Sequence, residues 1–409
     1  MVSKDIPIRV ACSGRLSLMF AACLLCVWLS AARISADDEA KRRDPELRPP
    51  LTRITFVDAK TEKRTIDARV LLEAQDGGLL LEGRDGRLWN VSPKQLQNRE
   101  ALNQTFRPLS SEDLGQQLRR ELSELGVKSF TEVVITKHYV ICSTAGRQYA
   151  EWCGEAFERL HDAFRQFWKE ANLELPESEF PLPAIVLKDR AEFAAFAAKH
   201  DRPDAAESPG YFSEPTNRIV LFDLTAGAKS SAPRSVAELK RRLAASALNV
   251  ATTIHEATHQ IAFNCGLHTR YADNPRWLTE GLAMFFEVPD LESRIGWSSI
   301  GRVNVTRLRD YRATLRSTPK RALSLADLIR ADDSFLREET LRAAYAKSWA
   351  LTFFLLKTRP AETVSFLKTI RSKPRLIPDS PEQRLAEFEA AFGNVEELER
   401  EWIQWMAKQ

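Results

Sequence analysis

The sequence predicts an α+β fold, on three observations. Between residues 51 and 105, short apolar runs are separated by Asp76-Gly77-Gly78 and Asp85-Gly86, the turn signals of a small antiparallel β unit. From 128 to 275, β-branched runs alternate with segments of helical period, which predicts a mixed sheet covered by helices. From 276 to 409 almost every segment has helical periodicity, with breaks near Pro289, Pro319, Pro360, Pro374 and Pro378.

In chain order, Lys4, Arg9 and Arg15 precede an uncharged run from Leu16 to Ala32, and Ser35-Ala36-Asp37-Asp38 follows. Residues 1–36 therefore read as a secretory signal cleaved near Ala32 or Ala36, with a retained membrane anchor as the alternative. The charged, Pro-containing segment 37–50 reads as a linker. Strands are expected at Thr55–Val57, Thr65–Leu72, Leu79–Glu82 and Arg87–Val91, enough for a barrel or sandwich of SH3-like size over 51–105. A helical connector over 106–127 holds a helix at Glu112–Leu125, with Ser111 as its N-cap. Next come a strand-like stretch at Glu132–Cys142, a helix at Gln148–Asn172, a strand at Pro181–Leu187 and a helix at Arg190–Lys199. Gly210–Phe222 reads as two strands around Glu214-Pro215-Thr216-Asn217, and one long helix is expected from Ser235 to Cys265.

The 409 residues are 44% hydrophobic and 28% charged, enough for a sizeable core in two or three domains. A net charge of only +3 argues against a dedicated nucleic-acid binder, which would concentrate basic residues on one face. Of the six cysteines, Cys12, Cys23 and Cys26 fall in the signal, leaving Cys142, Cys153 and Cys265. Three allow at most one internal disulfide, and none of them forms a CxxC pair, so zinc-ribbon readings drop out. Buried free thiols are the expectation.

Chemistry concentrates in His255-Glu256-Ala257-Thr258-His259. Histidines four apart on a helix lie one turn apart on one face, where two imidazoles can reach the same tetrahedral ion. Glu256, next to the first of them, can take a proton from a water that the ion activates. With six histidines in the chain, a chance match to this pattern is on the order of one in a hundred. Its flanks, Val250–Ile254 and Gln260–Phe263, are apolar or small, so the pair is expected to be buried, where it needs a compensating partner. Asn264-Cys265-Gly266 stops the helix, and a second helix is expected from about Pro275. Folded back, that helix can present Glu280 as a third ligand and complete a His₂Glu zinc site with one open position. Glu287, two turns later, is the competing carboxylate.

The HExxH run followed by Trp277-Leu278-Thr279-Glu280-Gly281-Leu282-Ala283 resembles the gluzincin superfamily of zinc metallopeptidases. More narrowly, residues 130 to 357 resemble bacterial secreted proteins of the gluzincin-like "peptidase MA" kind. The shared features are His138-Tyr139-Val140, Gly210-Tyr211-Phe212, Thr216-Asn217-Arg218 and the two zinc helices, and such proteins often carry a small β domain in front. The resemblance implies a gluzincin-like catalytic domain, with Zn2+ held by His255, His259 and Glu280, and with Glu256 as general base. It also implies an oxyanion-stabilising Tyr or His beyond the glutamate helix, for which Tyr345 is the candidate. The strand before the zinc helix, either Asn217–Phe222 or its partner Tyr211–Ser213, is expected to pair with substrate backbone. One departure stands out: Met284 occupies the position where some gluzincins place an Asp that orients the first histidine. The expected activity is peptide-bond hydrolysis outside the cytoplasm, on a peptide or protein substrate, with membrane contact only through an uncleaved signal. A degenerate gluzincin-fold scaffold at the cell envelope, or an amidase acting on cell-wall peptides, are the alternatives. His138, His161 and His200 are expected at the surface or in packing, and His268 near the site.

Overall fold

The first sheet comprises β1 (Pro50–Val57), β2 (Lys63–Glu73), β3 (Leu79–Gly83), β4 (Leu88–Val91) and β5 (Leu96–Thr105). The computed structural model describes residues 49–124, 126–127, 131–200, 205–225, 233, 235–288, 300–317 and 323–409; the signal segment and nearly all of the linker lie outside them. The strands run antiparallel in the order β4-β3-β2-β1-β5. Ile54, Phe56, Ala68, Leu79, Leu81 and Val91 form the core of this sheet. Strand β5 is absent from the sequence expectation. Its residues are almost all exposed and polar, so no period-2 apolar signal marks it; pairing with β1 is what makes it a strand. Helix α1 (Ser111–Glu124) follows, and its cap is Ser110 rather than Ser111: the Asp113 amide donates to Ser110 Oγ at 3.1 Å.

The second sheet comprises β6 (Glu132–Ile135), β7 (Tyr139–Ser143), β8 (Leu182–Leu187), β9 (Gly210–Ser213) and β10 (Arg218–Phe222) in the order β6-β7-β8-β10-β9. The three central strands are parallel and both edges antiparallel. Helices cover both faces, which is why these strands read as continuous apolar runs. Ile141, Ala184, Val186, Ile219 and Leu221 face α2 (Arg147–Glu170) and α5 (Ala247–Asn264). Their neighbours Val140, Ile185, Leu187, Val220 and Phe222 face α1 and α3 (Arg190–His200). The single helix expected from Ser235 to Cys265 is two, α4 (Val236–Ala244) and α5, broken at Ala245-Ser246. Neither Gly nor Pro marks that break.

The C-terminal part is helical, with α6 (Arg276–Phe286), α7 (Val305–Ser317), α8 (Leu325–Arg330), α9 (Glu338–Thr358), α10 (Pro360–Arg371), α11 (Pro381–Phe392) and α12 (Val395–Met406). The fold is thus α+β, an N-terminal β region leading to a helical C-terminal part, with two sheets and twelve α-helices among the described residues. None of these helices is long and apolar enough to cross a membrane.

The first sheet is bound to the remainder by buried charge. Arg69 donates to Glu82 at 2.8 Å and, through both terminal nitrogens, to Glu179 at 2.9 and 2.7 Å. Arg270, in the loop between α5 and α6, donates to the other Glu82 oxygen at 2.8 Å and to the carbonyls of Gly86 and Glu214 at 2.7 and 3.1 Å. Burial acts to raise the Glu82 carboxyl, but Arg69, Arg270 and Arg375 together hold it below the usual carboxylate range. Phe180 joins Leu51 and Phe106, and Tyr271 packs on Leu71, Leu80 and Leu88.

Helices α6 and α9 cross at Gly281, where an added Cβ would fall 2.6 Å from the Ser348 carbonyl and on the Thr352 hydroxyl. Gly281→Ala is therefore expected to destabilise the protein by about 1–3 kcal/mol, because backbone must move to admit the methyl. Urea denaturation checks this; an unchanged midpoint would contradict the close crossing.

Candidate active site

Helix α5 owes its position to polar ties with the second sheet. Gln260 donates to the carbonyls of Pro183 and Asn217 at 2.9 and 2.7 Å. Asn264 and Asn217 exchange amide hydrogen bonds of 2.7 and 2.9 Å, and Asn217 adopts the left-handed conformation (φ 57) that Asn tolerates. Ile254, Ala257 and Ile261 on the same helix are fully buried in the main core. His255 and His259 project toward Glu280 of α6. Helix α5 ends at Cys265, and Gly266 at φ 68 turns the chain back.

The fold brings His255, His259 and Glu280 together, as the sequence predicts. His255 Nε2 lies 3.1 Å from Glu280 Oε2 and 3.2 Å from His259 Nε2, and His259 Nε2 lies 3.7 Å from the same Glu280 oxygen. Two ligands each about 2.0–2.1 Å from a tetrahedral ion stand about 3.3 Å apart, so the three atoms fit such an ion. The electrostatics also suit a cation. Burial alone would lower the His255 pKa, but the Glu280 and Glu287 carboxylates override it and lift it to about 10. Glu280 is held well below the carboxylate range by the two histidines, against a desolvation cost that would raise it.

The residue that orients His255 was not legible at position 284. Met284 is fully buried in the main core. Glu287, at the C-cap of α6, takes the role instead: its Oε2 lies 3.3 Å from His255 Nδ1, on the ring nitrogen opposite the cluster. It is thus a partner of the first histidine and not a rival third ligand. Arg307 grips Glu287 with two hydrogen bonds of 2.6 and 2.8 Å, and Asn304 adds one of 2.9 Å. Such a carboxylate holds the Nδ1 proton, so that the Nε2 proton is the one a metal ion would displace. A Glu seven residues beyond Glu280, two turns on along the same helical face, is the signal that identifies it.

Glu256 is held by a backbone group. Its Oε2 accepts the Phe212 amide of β9 at 2.8 Å. Among the described strands, β9 pairs with β10 alone and forms the sheet edge, whereas β10 is flanked by β8 and β9. Of the two strands considered for substrate pairing, Asn217–Phe222 is therefore interior and Tyr211–Ser213 is the edge. No sequence signal announces a main-chain donor to Glu256.

Tyr345, on α9, stands one guanidinium away from the cluster. Arg276 Nη2 lies 3.4 Å from its hydroxyl, and Arg276 Nε lies 3.7 Å from Glu280 Oε1. Phe335 packs edge-on against the Tyr345 ring and lies under the Arg276 guanidinium. His268 is 2% exposed and packs against Phe263, so it belongs to the wall behind the site and not to an open cleft. Burial, reinforced by His259, pushes its pKa down to about 3. Cys142, Cys153 and Cys265 are all buried thiols outside any disulfide. His138 and His161, expected in surface or packing roles, stack on one another with ring centroids 3.9 Å apart, and the side chain of His200 lies outside the described ones.

Comparison with known proteins adds one match. No curated protein matches the chain. A family model described as "Protein of unknown function (DUF1570)" matches residues 249–376, the stretch that contains His255, Glu256, His259, Glu280, Glu287 and Tyr345.

Proposed function

We propose that this chain is an exported zinc-dependent hydrolase of gluzincin type that cleaves peptide bonds. The observation that carries this reading is the convergence of His255 Nε2, His259 Nε2 and Glu280 Oε2 to 3.1–3.7 Å of one another. A bound zinc ion would supply Lewis acidity to a water and to the scissile carbonyl. Glu256, with one oxygen engaged by the Phe212 amide, uses the other to accept the proton of the attacking water and passes it to the leaving nitrogen. In this reading an extended peptide lies along the β9 side of Glu256, where the Phe212 amide is already given to the Glu256 carboxylate. In this reading Tyr345, whose hydroxyl accepts from Arg276, donates toward developing negative charge. Export rests on the signal-like segment 1–36.

The test is digestion of a mixed peptide library by the full chain, read by mass spectrometry. Cleavage is expected to stop on chelation and to return with Zn2+. Absence of any cleaved product from zinc-loaded protein would favour the scaffold alternative. A second expectation concerns Glu287. Glu287→Ala frees the His255 ring and should weaken zinc at this centre by about 10–100-fold, measured by competition with a chromogenic chelator. An unchanged affinity would remove Glu287 from the account.

A further inference from the structure

We propose that His138, His161 and Glu177 form a second binding site for a divalent cation of the zinc type, at the C-terminal end of α5. This site is independent of the hydrolytic reading. His138 lies in the turn between β6 and β7, His161 on α2, and Glu177 in the loop between α2 and β8. One ligand atom from each lies within 4.8 Å of the others. His138 Nε2 stands 3.7 Å from Glu177 Oε2, close to the spacing of two ligands on one ion.

The surroundings of His138 repeat the arrangement at His255. Glu158 Oε2 lies 2.6 Å from His138 Nδ1, while Glu158 Oε1 accepts the His138 amide at 2.6 Å and the Thr136 hydroxyl at 2.5 Å. A carboxylate on Nδ1 leaves Nε2 as the ring's lone-pair nitrogen, and that nitrogen faces Glu177. Burial would raise the Glu158 carboxyl, but these bonds, led by the one from the His138 ring, hold it down at about 2.

The independent observation is His161. Its side chain is fully buried, and its Nδ1 has no hydrogen-bond partner. The nearest acid, Asp162, stands 3.8 Å away, beyond hydrogen-bond reach. A buried polar atom without a partner calls for a bound water or ion. Cys265 Sγ lies 4.0 Å from His161 Nε2, at the residue that caps α5. The partial negative charge at that helix end favours a cation. Arg165 pairs with Glu177 Oε1, which leaves Oε2 for His138 and the ion.

Two imidazoles and one carboxylate select a zinc-type ion over magnesium or calcium. The His138 and His161 rings are stacked, 3.9 Å between centroids and 25° between planes. Parallel rings direct their lone pairs side by side, so binding must tilt one ring against the other. Glu177, whose side chain is 58% exposed, can follow that movement. The bound ion would fasten α2 and the β6–β7 turn at the end of α5. That point is six residues beyond His259, about 9 Å along the helix axis.

The test is a Zn2+ titration of metal-stripped full chain by calorimetry. A His255→Ala/His259→Ala variant, which silences the first centre, is expected to retain one zinc equivalent. Adding Glu177→Gln or His138→Ala should weaken that binding at least tenfold. The chain with its native histidines should take up two equivalents, and Glu177→Gln alone one. This second comparison keeps the first centre intact, and Glu177 is exposed enough for its variant to fold. No uptake in the double variant, or uptake indifferent to Glu177→Gln and His138→Ala, would overturn the proposal. Neither outcome depends on whether any peptide is cleaved.

Discussion

Glu256→Gln is expected to lower kcat/KM for peptide hydrolysis by about 10²–10⁴-fold while leaving zinc at the centre. The glutamine keeps an oxygen that can accept the Phe212 amide, so the local structure should hold. What it loses is basicity. Because Glu256 is not among the three converging ligand atoms, the metal content should not change. The paired measurement is steady-state kinetics on a cleaved library peptide and elemental analysis of the same sample. Undiminished hydrolysis would mean that another group takes the proton. Loss of activity together with loss of metal would instead make Glu256 a structural support of the centre.

Arg270→Met is expected to cost about 3–5 kcal/mol of stability, measured as the shift in urea unfolding free energy. It leaves one oxygen of the buried Glu82 and the carbonyls of Gly86 and Glu214 without their donor. The size matters because Arg270 belongs to the loop that connects the two helices of the candidate site. If the first sheet were a module merely tethered to the rest, this change would be felt by under about 1 kcal/mol, as at ordinary surface positions. The account predicts the larger figure, and unfolding of both sheets together. The N-terminal β region is then part of the frame that sets α6 against α5.

How far the sequence carries is visible residue by residue. His255, Glu256 and His259 were legible because helical spacing turns a five-residue pattern into one face of one helix. Glu280 was legible because a helix stop at Cys265-Gly266 and a helix start near Pro275 leave a short return. The strands of the second sheet were legible as apolar runs bounded by turns. Other features depend on chain segments far apart in sequence. Strand β5 has no apolar alternation and exists through its pairing with β1. That β9 and not β10 forms the edge depends on strand order, which no local pattern encodes. In the sequence Glu287 reads only as a rival ligand, since its pairing with His255 is set by how α6 packs on α5. The break at Ala245-Ser246 lacks any breaker residue, and the shift of the α1 cap from Ser111 to Ser110 is a one-residue matter of backbone geometry. The His138–His161 pair was invisible for the same reason as Glu287: a turn, a helix and a loop meet only in the folded chain.

The central claim is that His255, His259 and Glu280 hold one zinc ion, and the most direct test is zinc stoichiometry by elemental analysis. Full-length protein and its His259→Ala variant should be equilibrated with excess zinc and freed of unbound metal by gel filtration. The account predicts that the variant carries one equivalent less than the protein with His259 intact, while its circular dichroism is unchanged. Equal zinc content in the two proteins would contradict it.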